Sequence, residues 1–259
     1  MGQVGDEEGH FSYGSYLRIR ELLDLQHPQS KPAAHDETLF IIVHQAFELW
    51  FRELIFELET VRNLMFAGDP PQARHLLTRA HTIERLMIEQ IEVLETMSPQ
   101  DFLEFRTNLN PASGFQSVQF RELEFLGGLK EKGFLKIAES AEEHERLERR
   151  LNEPTLWDAF RYLLEQNGLP MPGGDADVRR TSLLKMAQDR EAFAELWYLS
   201  EDLLELDELF ALWRQRHILM VERQIGTKQG TGGSSGAPYL RKTLEKRFFP
   251  ELWELRGYL

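Results

Sequence analysis

The 259-residue chain is 42% hydrophobic and carries a formal net charge of −13 at pH 7, so it can bury a sizeable core but is repelled by nucleic acid and by anionic lipid surfaces. It contains no cysteine, which excludes disulfides, thiolate nucleophiles and zinc–cysteine sites and fits a reducing cytoplasm. Met1 to Glu8 is acidic and lacks an apolar run, so no secretory signal is expected; no stretch reaches the roughly 18–20 continuous apolar residues of a membrane span.

Helical periodicity dominates from residue 36 onwards. Between Asp36 and Phe66, Leu39, Ile42, Val43, Ala46, Leu49, Trp50, Leu54, Leu58 and Val61 recur at three- and four-residue steps, with Asp36 or Thr38 as the expected cap. Gly68-Asp69-Pro70-Pro71 ends that helix. A second helix is expected over Gln72–Met97, then a short one from Pro99 to about Leu109 with Ser98 as cap and proline in its first turn. Asn110-Pro111-Ala112-Ser113-Gly114 breaks the pattern, and Gln116–Leu129 restores it. Ala141–Asn152 is a charged helix whose Glu–Arg spacing reads mostly as a solvated face. Residues 167–192 are expected to be a variable loop region, marked by Gly168, Pro170, Pro172, Gly173 and Gly174. A long amphipathic helix spans Glu191 to about Ile225, residues 226–238 form a mobile Gly/Ser loop, and a last helix covers Tyr239–Phe248. Alternating strand patterns and internal repeats are lacking, so the expected fold class is all-α: a helical bundle in one domain over 1–259.

Few side chains carry chemistry on this scaffold. His44 lies on or beside the apolar stripe of the first long helix, where a satisfied core histidine is the ordinary reading. Phe40, one turn earlier, puts a phenyl ring on the same face, which suits a flat ligand bearing one polar N–H. His217 is one nitrogen donor on an apolar helix, compatible with a haem ligand or with an ordinary buried histidine. Phe102 and Arg106 share a face, so Arg106 either snorkels to solvent or holds a carboxylate. Gly230 to Gly236 lacks the lysine of a phosphate-binding loop and follows no strand; it reads as a linker or as a lid over a ligand. His35-Asp36-Glu37 splays over about 200° of helix and cannot converge on one ion. Gly232-Gly233-Ser234-Ser235-Gly236 follows no strand and so is no nucleophile elbow, and a His-Glu-x-x-His helix is missing.

Taken together and in order, several fragments resemble the tryptophan 2,3-dioxygenase family. They are Tyr13-Gly14-Ser15-Tyr16-Leu17, His35-Asp36-Glu37 running into Phe40 to Gln45 and Glu48-Leu49-Trp50, Phe105-Arg106, Pro111 to Ser117, Trp213 to His217, Gly230 to Gly236 and Phe248 to Leu252. The resemblance implies haem b held by His217 as its metal ligand, with Ser113 and Gly114 beside the cofactor and O2 as co-substrate. It implies His44 as the catalytic-site histidine that meets the indole N–H, Phe40 as the wall over the indole ring and Arg106 as the carboxylate clamp. Thr231 would meet the ammonium group, and Phe102 and Ser113 would border the substrate. Tyr13, Tyr16 and Leu17, within an N-terminal segment over 1–34, would reach a neighbouring subunit's pocket, making an intertwined homotetramer. The implied reaction is insertion of O2 across the indole C2–C3 bond of L-tryptophan, giving N-formylkynurenine. Phe102, where some bacterial relatives carry tyrosine, and Asn110, where glycine is usual, keep open a haem-dependent monooxygenation of a 3-substituted indole such as β-methyltryptophan to an oxindole. A non-catalytic haem sensor is a third reading, which has no use for an amino-acid clamp.

Overall fold

A computed structural model describes residues 11–232 and 236–259 of the chain. The regular elements among them are all helical. They run α1 (Tyr13–Tyr16), α2 (Ile19–Leu22), α3 (His35–Ala67), α4 (Pro70–Glu95), α5 (Pro99–Phe105), α6 (Val118–Gly127), α7 (Ala141–Asn152), α8 (Leu156–Gln166), α9 (Ala176–Gln188), α10 (Ala194–Ile225), α11 (Ala237–Arg241) and α12 (Pro250–Leu255), with short 3-10 turns between some of them. The opening residues 1–8, and positions 233–235 of the glycine-rich loop, lie outside the described residues.

Three long helices make the frame. On α3, Val43, Phe47, Phe51, Leu54, Leu58, Val61 and Met65 are buried at steps of three and four, one continuous apolar stripe. At 33 residues, α3 is roughly 50 Å long. Gly68 ends it with φ 77°, a left-handed cap that bonds back to Leu64 and Met65. Asp69 then caps α4 by accepting from the Gln72 N–H, with proline in the first turn. So short a link makes α3 and α4 antiparallel neighbours. α10 packs on α4, and α6 and α8 pack on α3. One apolar cluster joins these helices to Leu183 and Met186 of α9 and to Phe248, Phe249 and Leu252 near the C-terminus.

Several boundaries differ from the sequence reading. Asp36 is not a cap: α3 begins at His35 after Ala34, so Asp36 already sits in the first turn and binds the His35 Nδ1 at 2.6 Å. Its charge complements the helix dipole there. The neighbouring Glu37 is the buried anchor, accepting the Gln29 and Ser30 N–H groups at 2.7 and 3.0 Å. Residues 167–192 are a loop only as far as Asp175, after which α9 forms because Leu183, Met186 and Ala187 share one buried face. The expected helix over 239–248 shrinks to α11 plus a 3-10 turn, Lys242–Glu245. Asp207 of α10 explains the break: its Oδ2 takes the N–H groups of Phe248 and Phe249 and the Trp253 indole N–H at 2.9–3.1 Å, drawing the chain out of helical register. On α7, Arg150 is not part of a solvated face. It is buried and ion-paired with Glu59, Glu122 and Glu153.

Candidate functional site

α3 and α10 face each other across a cavity of about 270 Å³. Phe40, His44, Phe47 and Phe51 line it from α3; Trp213, His217, Ile218, Met220 and Val221 line it from α10. The remaining wall comes from the end of α5 (Phe102, Arg106), the 113–121 turn and the glycine-rich loop (Gly230, Thr231). Apolar walls with a few polar groups at fixed places are the usual composition of a small-molecule site.

His44 is fixed by its own helix. Its Nδ1 lies 2.7 Å from the Phe40 carbonyl oxygen. A carbonyl only accepts, so Nδ1 carries the proton and Nε2 keeps its lone pair. Burial holds the ring's pKa below the usual histidine value, against the opposing pull of that hydrogen bond and of Glu48; the imidazole is therefore neutral near pH 7. The Phe40 ring lies against it, tilted by 34° with ring centroids 4.1 Å apart. Phe102 extends the wall 5.8 Å beyond Phe40, and the buried Phe105 braces both from behind.

His217 sits one turn after Trp213, the two rings near parallel at 7° with centroids 5.3 Å apart. Burial, aided by the nearby His44, lowers its pKa to about 4. No hydrogen bond to its ring is found among the described residues, so a neutral imidazole lines the cavity with a lone pair available for a metal. Among the described residues, no group of three or more histidines and carboxylates could hold a metal ion. A metal on His217 must therefore bring its other ligands with it, as iron in a porphyrin does. Phe47, Phe51, Phe120 and Trp213 supply flat apolar walls for such a macrocycle. The residues present fit the haem that the resemblance implies.

The polar groups of the loop wall are held by backbone. Arg106 donates from Nη2 to the Gln229 carbonyl. Thr231 donates from Oγ1 to the Ala112 carbonyl at 2.6 Å. Ser113 caps the 3-10 turn Gly114–Gln116, and its N–H reaches Gln116 Oε1 at 2.8 Å. Gly232 lies so close that a Cβ there would stand 2.6 Å from the Ser113 Cβ. Any side chain at 232 would push the two loops apart.

The structure thus brings Phe40, His44, Phe102, Arg106, Ser113, Gly114, His217 and Thr231 to one cavity. Tyr13, Tyr16 and Leu17 are not among its lining residues and are exposed, the tyrosines by 77% and 67%. The sequence reading missed the polar wall formed by Arg121 and Glu124 of α6 with Arg214 and Lys246. One signal was available: Arg121 and Glu124 stand three apart within a helix otherwise apolar on that side.

The chain matches the family model described as tryptophan 2,3-dioxygenase over residues 2–177 and 176–259. It is 52% identical to a tryptophan 2,3-dioxygenase of Nocardioides sp., an alignment covering 98% of this chain and 97% of that protein. It is 45% identical to the tryptophan 2,3-dioxygenase of Herpetosiphon aurantiacus, covering 96% and 98%. It is 40% identical to that of Myxococcus xanthus, covering 100% and 93%.

Proposed function

The chain belongs to the tryptophan 2,3-dioxygenase family, and from that membership we propose that it inserts O2 across the indole C2–C3 bond of L-tryptophan, releasing N-formylkynurenine. The observation that carries this reading is the pairing, in one cavity, of a neutral His44 whose Nε2 can accept an N–H with a guanidinium and a hydroxyl, Arg106 and Thr231, suited to the two charged ends of an amino acid. His217 would hold haem b, with Ser113 and Gly114 beside it. When bound, the haem iron supplies the activation of O2 that no side chain here can provide.

The protein's own task is placement. The indole N–H donates to His44 Nε2, and the Phe40 ring covers the indole face, with Phe102 behind it. Arg106 takes the substrate carboxylate through two N–H groups. The Thr231 hydroxyl oxygen accepts from the ammonium. Each polar end of the substrate is then matched, and the indole C2–C3 edge has one allowed position. The overall reaction keeps every atom: both oxygens enter the product as carbonyls, the C2–C3 bond breaks, and no external electron or net proton is required. His44 need not remove the indole proton; it orients the ring and shares that proton as the nitrogen becomes more acidic during attack. The aromatic walls keep bulk water from the reacting edge.

The exposed Tyr13, Tyr16 and Leu17 complete a neighbouring subunit's cavity in this reading, and the assembly is a homotetramer. Support comes from their exposure, and from Leu23 and Leu25 continuing the same uncovered apolar segment. No helix among the described residues is long and apolar enough to cross a membrane, and the cysteine-free composition suits a cytoplasmic setting. The test is product mass after incubating the haem-loaded, reduced protein with L-tryptophan under air. Gain of two oxygen atoms is expected. Gain of one, or turnover only with 3-substituted or β-substituted indoles, would overturn the assignment in favour of oxindole formation.

A further inference from the structure

The cavity wall contains an amide group that the protein satisfies on one side only. Gln224 lies on the last turn of α10, is buried with 6% of its surface exposed, and lines the cavity. Its Nε2 donates to the Met97 carbonyl oxygen at 2.8 Å. A carbonyl oxygen only accepts, so that bond fixes which way the amide faces. The nitrogen is turned to the backbone, and Oε1 is left over. Oε1 is buried and meets no donor among the described residues. An unpaired buried acceptor is costly. A methionine would occupy the same position beside Val221 and Ile225 without that cost.

Helix geometry places this oxygen at the clamp end of the cavity. Gln224 follows His217 by two turns, so the two side chains leave α10 on the same side, roughly 10 Å apart along the axis. Arg214 lies the other way, one turn before His217. Past Gln224 the chain leaves the helix at Gly226 and returns to the cavity at Gly230 and Thr231. Gln229, just before them, takes the Arg106 guanidinium on its carbonyl. Met97, which holds the Gln224 amide, packs with Phe105, and Phe102 packs against that pair one turn before Arg106. The free amide oxygen, the guanidinium and the Thr231 hydroxyl therefore gather at one end. The ligands of the proposed reaction leave one donor group unspent there. The indole N–H goes to His44, and the carboxylate, O2 and ionised haem b only accept. The ammonium carries three N–H groups, of which Thr231 takes one.

We propose that Gln224 is a specificity-determining residue whose amide oxygen accepts a second N–H of the substrate ammonium, so that the amino end is held between Gln224 on the helix and Thr231 on the loop. The proposal rests on the tryptophan reading given above. Its chemistry is a charge-assisted hydrogen bond to an acceptor already oriented by Met97. The consequence is selection for a free amino group, beyond the indole and the carboxylate: an analogue that lacks the amine leaves two acceptors unpaired in a buried site.

The experiment titrates the haem-loaded full chain in a calorimeter with L-tryptophan and with indole-3-propionate, which keeps the ring and the carboxylate and lacks the amine. Gln224→Met removes the amide oxygen and keeps the length of the side chain. It should bind L-tryptophan about tenfold more weakly than the wild type, the size expected for one hydrogen bond to a charged group, and indole-3-propionate no more weakly. Thr231→Val decides the matter if Gln224→Met fails to fold. With one acceptor left, it should still prefer L-tryptophan to indole-3-propionate by about tenfold; equal Kd values for the two ligands would overturn the proposal. So would equal weakening of both ligands in Gln224→Met, the mark of a merely structural role through Met97, and so would an unchanged Kd for L-tryptophan. If the wild type itself does not bind L-tryptophan, the tryptophan reading fails and the proposal falls with it, an outcome distinct from tight binding that Gln224→Met leaves untouched.

Discussion

The helical wall of the cavity and its loop wall hold their side chains by different means. Phe40 with His44, and Trp213 with His217, are one-turn pairs on helices whose neighbouring stripe is buried in the core. Their positions follow from helix geometry and do not wait for a ligand. On the other side, Arg106 and Thr231 are each tied to a backbone carbonyl of a different segment, at Gln229 and Ala112. Each bond uses one donor and leaves the Thr231 oxygen free to accept and the other Arg106 N–H groups free to donate. The ring-plane and metal-ligand positions are therefore set by helix geometry, whereas the clamp residues are held by hydrogen bonds between distant segments. Affinity is tuned at the loops and chemistry at the helices.

The largest effect should come from the helical wall. Among the described residues, His217 is the one cavity-lining histidine whose ring has no hydrogen bond of its own, and His217→Ala removes it. The variant should retain no stoichiometric Soret absorbance and show no turnover, while its far-ultraviolet circular dichroism stays that of the wild type. Normal haem retention would mean that the two histidines have been assigned the wrong way round. Next in size is the loop wall. Arg106→Leu should keep its haem and lose on the order of 100-fold in kcat/KM for L-tryptophan, the value of a bidentate charged contact. Indole analogues lacking a carboxylate should be turned over equally by variant and wild type. A loss of haem in this variant would erase the distinction between the two walls.

His44→Ala is predicted to be milder, about 2- to 10-fold in kcat/KM, because a neutral hydrogen bond is worth about 0.5–1.5 kcal/mol. Haem retention should be unchanged, and 1-methyl-tryptophan, which has no indole N–H, should not distinguish the variant from the wild type. Complete loss of turnover with haem and substrate affinity intact would show instead that the proton must be removed there.

The same division explains what could be read from the sequence. Helix-borne residues announce themselves: the stripe from Val43 to Met65 sets the face of α3, and His44 and Phe40 fall beside it by simple counting. The loop wall showed only as breaker clusters, because the bonds Arg106–Gln229 and Thr231–Ala112 join residues more than a hundred positions apart, and no local pattern encodes such pairs. Helical spacing paired Arg106 with Phe102 but left its role open, and motif resemblance alone singled out Thr231. Asp207 failed to register for a similar reason. It is one acidic residue on a long amphipathic helix, and its effect, stopping the helix expected over 239–248, is felt some forty residues later. Arg150 and Arg121 were legible only as charges on helices, since their burial depends on which neighbours arrive.

The smallest effect tests whether the core beneath the helical wall can be altered without disturbing the loops. Glu84 of α4 is buried, its Oε2 has no partner, and burial, together with the nearby Asp207 charge, holds its carboxyl pKa well above the usual 4.5. It is therefore neutral in the fold at a pH where the unfolded chain is already ionised. The sign follows from linkage: stability from neutral Glu84 is complete below the unfolded value and is lost as pH rises through the raised folded value. Glu84→Gln cannot ionise, so it should match the wild type in Tm near the unfolded carboxyl pKa and exceed it by a margin that widens towards neutral pH. Its kcat/KM at a temperature well below unfolding should not change, because Glu84 does not line the cavity. A pH-independent Tm difference would show that Glu84 is ionised in the fold. A changed KM would show that the packing of α4 against α10 is transmitted to the clamp, and that the two walls are less separate than their bonding suggests.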